Sequence, residues 1–390
     1  MMHKILQSVV IALCCLFILH LDAAVTTRIV AIGDIHGAYD SFVAILHEAG
    51  LVNEKAQWSG GNTILVQTGD VLDRGPESKK AMDLIMTLQK QAPKQKGKVA
   101  SLLGNHEIMN LVGDLRYVSP QEYASYSDSN SAKRQQSAYK AYVTYLQQRA
   151  KKFGKDAPEI SKESEQEWKT KHPFGFVEHR EAFRPIGKYG KWLRTLDAIQ
   201  EIDGNIFLHA GISKEVSDLP IEKMNTRIRQ EIRMFDGCAQ VLQERKAALP
   251  FFTMEEYLDA AKEELETLKD KITEPEASIG KQLKDCVNMN SWLSIHPDGP
   301  LWFRGYATWN DTEGAQNVNE LVEKYKATRF VTSHSVQLNG EIKARFDTKV
   351  ILIDTGMLSA PFFPGGRASA LEIINGKITA IYSGKREPIQ

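Results

Sequence analysis

Short apolar runs that stop at a glycine recur along the chain, and each stop is followed at once by an aspartate or an asparagine. Arg28–Ile32 stops at Gly33, Thr63–Thr68 at Gly69 and Lys98–Leu103 at Gly104. Runs of this length bounded by glycine read as strands. Between them lie stretches of helical spacing. Phe42, Ile45, Leu46 and Ala49 run up to Gly50, and Met82, Ile85 and Leu88 follow a helix-opening Pro76. Strand, loop and helix in alternation predict an α/β fold whose ligands gather outside the carboxyl ends of the strands. Asn205–Leu208, Thr328–Thr332 and Val350–Ile353 continue the strand series, and Leu371–Ile374 and Lys377–Tyr382 form a pair joined by the hairpin signal Asn375-Gly376.

Two long polar, helix-forming stretches interrupt this series. They span about 119–170 and 214–289, and they read as helical insertions into one core rather than as separate domains. In the second, Thr253-Met254-Glu255-Glu256 has capping-box form ahead of Tyr257, Ala260, Ala261 and Leu265. The chain is 390 residues long with 49 basic and 49 acidic side chains. That balance offers no global field for nucleic acid or an anionic membrane, and neither is expected as a partner. At the amino end, Lys4 precedes the nearly continuous apolar run Ile5–Leu21, and Ala23-Ala24 follows. This is the order of a secretory signal peptide, read over 1–24, with 25–390 as one catalytic domain. No stable membrane span is expected after cleavage, and the compartment is periplasm, extracellular space or an organelle lumen. Cys14 and Cys15 leave with the leader; Cys238 and Cys286 remain, either as a disulfide or as two unrelated core residues.

The strand ends carry the chemistry: Gly33-Asp34-Ile35-His36-Gly37, Gly69-Asp70-Val71-Leu72-Asp73-Arg74-Gly75, Gly104-Asn105-His106-Glu107, His209-Ala210-Gly211 and Ser333-His334-Ser335. Aspartate and histidine without cysteine suit hard or borderline cations such as manganese, iron or zinc. Asp34 and His36 can hold one ion, Asp70 can bridge to a second, and Asn105, His209 and His334 can complete that second ion's shell. Two ions about 3.5–4 Å apart bind a bridging water and lower its pKa towards about 7, which makes hydroxide available at neutral pH. His106 is placed to protonate a leaving oxygen, Asp73 favours its charged form, and Arg74 offers a planar fork of donors to phosphate oxygens. Any one of these turns alone reads as ordinary turn chemistry; together and in order they read as one site. His47, His172, His179 and His296 read as structural or surface residues.

GDIHG (33–37), GDVLDRG (69–75), GNHE (104–107) and HAG (209–211) resemble the signature of the phosphoprotein phosphatases within the calcineurin-like metallophosphoesterases. Leu102–Asn110, His172–Arg180, Gly187–Arg194, Trp302-Phe303-Arg304-Gly305 and Ile353-Asp354-Thr355-Gly356-Met357 further resemble the Shewanella-like, bacterial-like branch. Leu103 stands where the main eukaryotic branches carry arginine, and HAG replaces HGG; neither changes a ligand. The resemblance implies a central β-sandwich flanked by helices. It implies one ion on Asp34, His36 and Asp70 and another on Asp70, Asn105, His209 and His334. His106 with Asp73 becomes the proton donor, and Arg74 and Arg304 the phosphate-binding arginines. Arg304 enters only through this resemblance. The implied reaction is attack of a metal-bridging hydroxide on a phosphomonoester, carried by a phosphorylated protein or a small phosphoester, without a phosphoenzyme. A nucleotide or dinucleoside polyphosphate hydrolase on the same centre, and a silent metal-dependent binding protein, are the rival readings.

Overall fold

A computed structural model describes residues 27–269 and 273–390, so the leader read over 1–24, with Cys14 and Cys15, lies outside the described residues. The chain opens with three strand–helix units: β1 (Arg28–Ile32) and α1 (Tyr39–Glu48), β2 (Ile64–Gln67) and α2 (Ser78–Gln91), β3 (Lys98–Ser101) and α3 (Asn105–Val112). The first insertion supplies α4 (Pro120–Tyr126), α5 (Ser131–Lys152) and α6 (Lys162–Lys171), followed by α7 (Phe176–Phe183) and α8 (Lys188–Leu193). A hairpin, β4 (Ile199–Ile202) and β5 (Asn205–Leu208), leads to the second insertion, α9 (Ile221–Glu244), α10 (Met254–Leu268) and α11 (Glu276–Val287). The chain closes through α12 (Gly305–Thr308), α13 (Asp311–Tyr325), β6 (Arg329–Thr332), β7 (Lys343–Arg345), β8 (Val350–Leu352), β9 (Ala370–Ile374), β10 (Lys377–Tyr382) and β11 (Lys385–Ile389).

The strands form two sheets, one in the order β11-β10-β9-β1-β2-β3 and the other β4-β5-β6-β8-β7. Within the first, β1, β2 and β3 are parallel; within the second, β5, β6 and β8 are parallel. The unbroken apolar run of β1 follows from its place. Ile29 and Ala31 pack with Val66, Leu371 and Ile373 against Phe207, Val331 and Ile351 of the facing sheet. Val30 and Ile32 turn the other way and join Phe42, Ile45, Leu46, Ile85 and Leu88 of the covering helices. A strand buried on both faces has no polar position to alternate with. This is the helix-flanked α/β sandwich that the sequence implies.

The strands that sequence patterning does not mark are β4, β7 and β11. All three are sheet edges. They read Ile-Gln-Glu-Ile, Lys-Ala-Arg and Lys-Arg-Glu-Pro-Ile, with charges and a proline where an edge faces water. Helices α7 and α8 are likewise unmarked, because eight and six residues are too few to display a period.

Both insertions are helical, as read. The Thr253 capping box is formed: its hydroxyl accepts from the Glu256 amide, and the Glu256 carboxylate accepts from the Thr253 amide at 2.8 Å. Cys238 on α9 and Cys286 on α11 are both buried free thiols. A hydrogen bond with Cys286 and burial together push the Cys238 thiol far above its ordinary range, so that sulfur sits neutral in the helical core. Among the described residues no helix is long and apolar enough to cross a membrane.

The inter-sheet layer is thin, so each large side chain in it bears heavily on stability. Phe207 is fully buried there. Phe207→Ala should destabilise the fold by about 3–5 kcal/mol, read as a lower urea midpoint with an unchanged slope by circular dichroism.

Candidate metal centre

The two sheets bring their carboxyl ends to the same edge of the sandwich, and all six parallel strands deliver a polar side chain there. From the first sheet, β1 runs into Asp34 and His36, β2 into Asp70, and β3 into Asn105 and His106 at the start of α3. From the second, β5 runs into His209, β6 into His334 and β8 into Asp354. All of these side chains are buried. The turns are tight. His36, Asp70, Asp73, Arg74 and His334 all take positive φ, between 48° and 71°, a conformation disfavoured for residues with a Cβ. Gly69 and Gly104 permit the closest approach: a Cβ on Gly104 would stand 2.2 Å from an Asp70 carboxylate oxygen.

The imidazoles are aimed by backbone carbonyls, which can only accept. His36 Nδ1 donates to the Leu72 carbonyl at 2.8 Å, His209 Nδ1 to Thr68 at 3.1 Å, and His334 Nε2 to Trp302 at 3.2 Å. The opposite nitrogen of each ring is thereby left as a lone pair facing inward. His209 Nε2 lies 2.9 Å from Asn105 Oδ1, 3.0 Å from His334 Nδ1 and 3.2 Å from Asp70 Oδ2. His36 Nε2 lies 3.7 Å from Asp70 Oδ2 and 3.8 Å from Asp34 Oδ2. Donor atoms about 3 Å apart match the edges of a shell with bonds near 2.0–2.2 Å.

Two overlapping triads could each hold an ion: His36, Asp70 and His106, and Asp70, His209 and His334. Asp70 is common to both, as expected of a bridging carboxylate. His106 joins the first triad by proximity, its Nε2 being 3.8 Å from Asp70 Oδ2, whereas its Nδ1 meets Asp73 Oδ2 at 2.6 Å.

The electrostatics fit a cation. Among the described residues, no lysine or arginine pairs with Asp34, Asp70 or Asp354. Burial, then Asp354 and Asp70, pushes the Asp34 carboxyl well above the usual range, and burial also raises Asp354. Burial also opposes ionisation of Asp70, but His209, His106 and His36 outweigh it and hold that carboxyl well below its ordinary value. Burial, with neighbouring His209 and Arg304, lowers His334 to about 2, so the ring is neutral and competent as a ligand. Crowded buried carboxylates of this kind are costly unless a cation or a proton sits among them.

Residues 27–237 match the model of the calcineurin-like phosphoesterases. The chain belongs to that family. It is similar to an uncharacterized protein of Schizosaccharomyces pombe, 29% identical over 92% of this chain and 82% of that protein. It is also similar to Shewanella-like protein phosphatase 1 of Plasmodium berghei, 24% identical over 91% of this chain and 74% of that one. Its fold is like that of the cold-active protein-tyrosine phosphatase of a psychrophilic Shewanella, with a TM-score of 0.58 at 22% identity over 93% of this chain and 80% of that one. Calcineurin-like phosphoesterases use a binuclear divalent metal centre, and the two triads around Asp70 are the groups of this phosphoesterase that could hold it.

Arg74 and Arg304 sit at the rim. Arg74 Nη2 is 3.4 Å from His106 Nε2, and its guanidinium lies between the rings of Tyr117 and Phe363, at 5.4 and 5.3 Å from their centroids. Arg304 donates to the His334 carbonyl at 2.8 Å and to the Ser335 hydroxyl at 3.1 Å, so a residue known only by resemblance lies beside the centre. The four other histidines fall elsewhere. His47 and His296 are largely exposed, His172 stacks on Trp168, and His179 packs among Tyr123, Tyr126 and Phe183.

Several contributors were given no role by the sequence, although Glu107 closes the GNHE motif. Glu107 accepts the amides of Asp70, Val71 and Gly104 at 2.7–2.9 Å and so pins the β2 turn to α3; burial and Asp70 raise it to about 7. Asn110 donates to Asp73 Oδ1 at 2.9 Å, one helical turn after His106. Tyr117 and Phe363 come from loops with no pattern to mark them. Asp354 did have a signal, since it ends the apolar run Val350–Ile353 and precedes Thr355-Gly356, the same strand-end grammar as the others. Its carboxylate takes the Gly356 amide at 3.0 Å and borders Asp34. As an outer partner of Asp34, Asp354→Ala should weaken ion retention about 10–100-fold, read by elemental analysis after dialysis against graded chelator.

Proposed function

We propose that this phosphoesterase is an exported protein phosphatase, hydrolysing phosphomonoesters on protein side chains, with residues 25–390 acting as one catalytic unit. The observation that carries the reading is the His106–Asp73 pair, buried at 2.6 Å, with Arg74 beside His106 and Asp70 in front of it. Asp34, His36, Asp70, Asn105, His209 and His334 would hold two ions of manganese, iron or zinc. When bound, such ions neutralise phosphate charge and make water acidic enough to attack at neutral pH.

The chain's own residues do the rest. Arg74, stiffened between Tyr117 and Phe363, presents its fork to the phosphate oxygens, and Arg304 closes the opposite rim. Water forms the new bond to phosphorus as the ester P–O bond breaks. His106 Nε2 passes its proton to the departing alkoxide or phenolate, and Asp73, held by Asn110, keeps the proton-bearing tautomer in place. The relative in P. berghei bears a protein phosphatase name, which supports a protein substrate. The apolar leader ahead of Ala23-Ala24 supports export.

Turnover of phosphopeptides should exceed turnover of nucleotides and dinucleoside polyphosphates, and it should vanish with chelator and return with manganese. A preference for dinucleoside polyphosphates would transfer the chain to the rival substrate class. His106→Asn should cut kcat by about 10²–10⁴ on an alkyl phosphate and by less on p-nitrophenyl phosphate, whose leaving group needs little protonation. Protonated His106 is the active form, so kcat/KM falls as pH rises through its pKa. Burial lowers that pKa, but Asp70 and Asp73 raise it further, to a net value above the ordinary one. Asp73→Asn removes one raising charge, and the alkaline limb of the pH profile should therefore move to lower pH.

A further inference from the structure

Residues of α3, α7, α9 and α10 line a cleft of about 560 Å³ that contains none of the side chains around Asp70. Its size is that of a small-molecule site. Four arginines line it, Arg180, Arg184, Arg194 and Arg233, against the carboxylates of Asp236 and Glu244. The charges do not cancel where they meet. Arg194 takes up Asp236 in a two-pronged pair at 2.6 and 2.8 Å. Glu244 accepts from Gln240 at 2.8 Å, and Arg184 has a partner in Glu181 at 2.9 Å, itself largely exposed. Among the described residues, Arg233 has neither a carboxylate nor a hydrogen-bond partner, and Arg180 has no carboxylate.

Arg180 is the unusual member. It is only 4% exposed, yet its Nε has no partner. A guanidinium cannot shed its proton to relieve burial, so a buried one without a counter-ion is expensive. Its Nη1 donates to the Asn110 carbonyl at 2.9 Å, in the last turn of α3, where the helix dipole favours positive charge. Capping α3 accounts for that arm of the side chain. It supplies no counter-ion to the guanidinium, and Arg233, which also lines the cavity, has none among the described residues. Gln240 and Gln243 share the rest of the lining with an apolar patch of Leu111, Phe235 and Tyr257, beside Ile186, which is 75% exposed.

We infer that this cavity is a second binding site, for a small organic anion whose phosphate, sulfonate or carboxylate head meets Arg180 and Arg233 while its apolar body lies against Leu111, Phe235 and Ile186. The inference does not depend on the reaction proposed for the metal centre. The head supplies the acceptors that the two arginines lack, and the body covers a large exposed aliphatic side chain.

The test is a fluorescence titration of the full chain with 8-anilinonaphthalene-1-sulfonate, metal-loaded and after the ions are stripped with chelator. One saturable site that remains when the ions are removed is expected. Arg233 is exposed on α9, outside the metal centre. Arg233→Gln should weaken the probe about tenfold, as loss of a charge-assisted contact does, with phosphatase activity unchanged as the check on folding. Ile186→Asp, at the opposite rim, should weaken it too. Loss of the site together with the ions would place the probe at the metal centre, and unchanged affinity in both variants would place it elsewhere; either result overturns the inference.

Discussion

The structure turns on one unfavourable arrangement, the burial of the Asp70 carboxylate and its acidic neighbours Asp34 and Asp354 at the meeting edge of two sheets. Imidazoles, backbone amides and the Ser333 hydroxyl meet them, and among the described residues no lysine or arginine pairs with them. Such a cluster persists only if its framework is rigid enough to forbid relaxation and a cation rewards its formation. Both conditions are visible. Glu107 locks the β2 turn to α3 through three amides, and carbonyls of Leu72, Thr68 and Trp302 fix three imidazole rings. The sandwich core supplies the stability that the strained turns consume.

That framework also separates the parts with different tasks. Residues facing Asp70 are oriented by main chain and have almost no freedom. His106 is different, because its partner is a side chain, Asp73, itself steadied by Asn110. An imidazole held by a carboxylate keeps its charge more readily than one held by a carbonyl. In the proposed function the same residue type would serve as an electron-pair donor at positions 36, 209 and 334 and as a proton carrier at position 106. The difference lies in what each second nitrogen touches.

Much of this was legible in the sequence, for a physical reason. Parallel strands buried on both faces must be apolar throughout, so β1, β2, β5 and β6 announce themselves, and the polar residue that ends each run is conspicuous. Edge strands β4, β7 and β11 answer to solvent and carry no such mark. Asp34, His36, Asp70, Asn105, His106, His209 and His334 were readable because they sit at those stops. Glu107 and Asn110 were not, since a buried carboxylate serving backbone amides looks in sequence like any helical glutamate. Arg304 lies on a one-turn helix start with aromatic neighbours and would pass for packing without its resemblance. Asp354 obeyed the same grammar as the rest, and its place beside Asp34 comes from the pairing of β8 with β6.

The span of chain that the centre draws together has its own meaning. The amide of His334 reaches the carboxylate of Asp34 across 300 positions, and His209 meets Asn105 across 104. Contacts so distant along the polypeptide form after loops have closed, so the cluster is among the last features to assemble during synthesis. No early fragment of the nascent chain holds both halves of it. Activity therefore switches on only when the second sheet has docked, and a ribosome-bound or prematurely ended product stays inert however well its first three strands have folded.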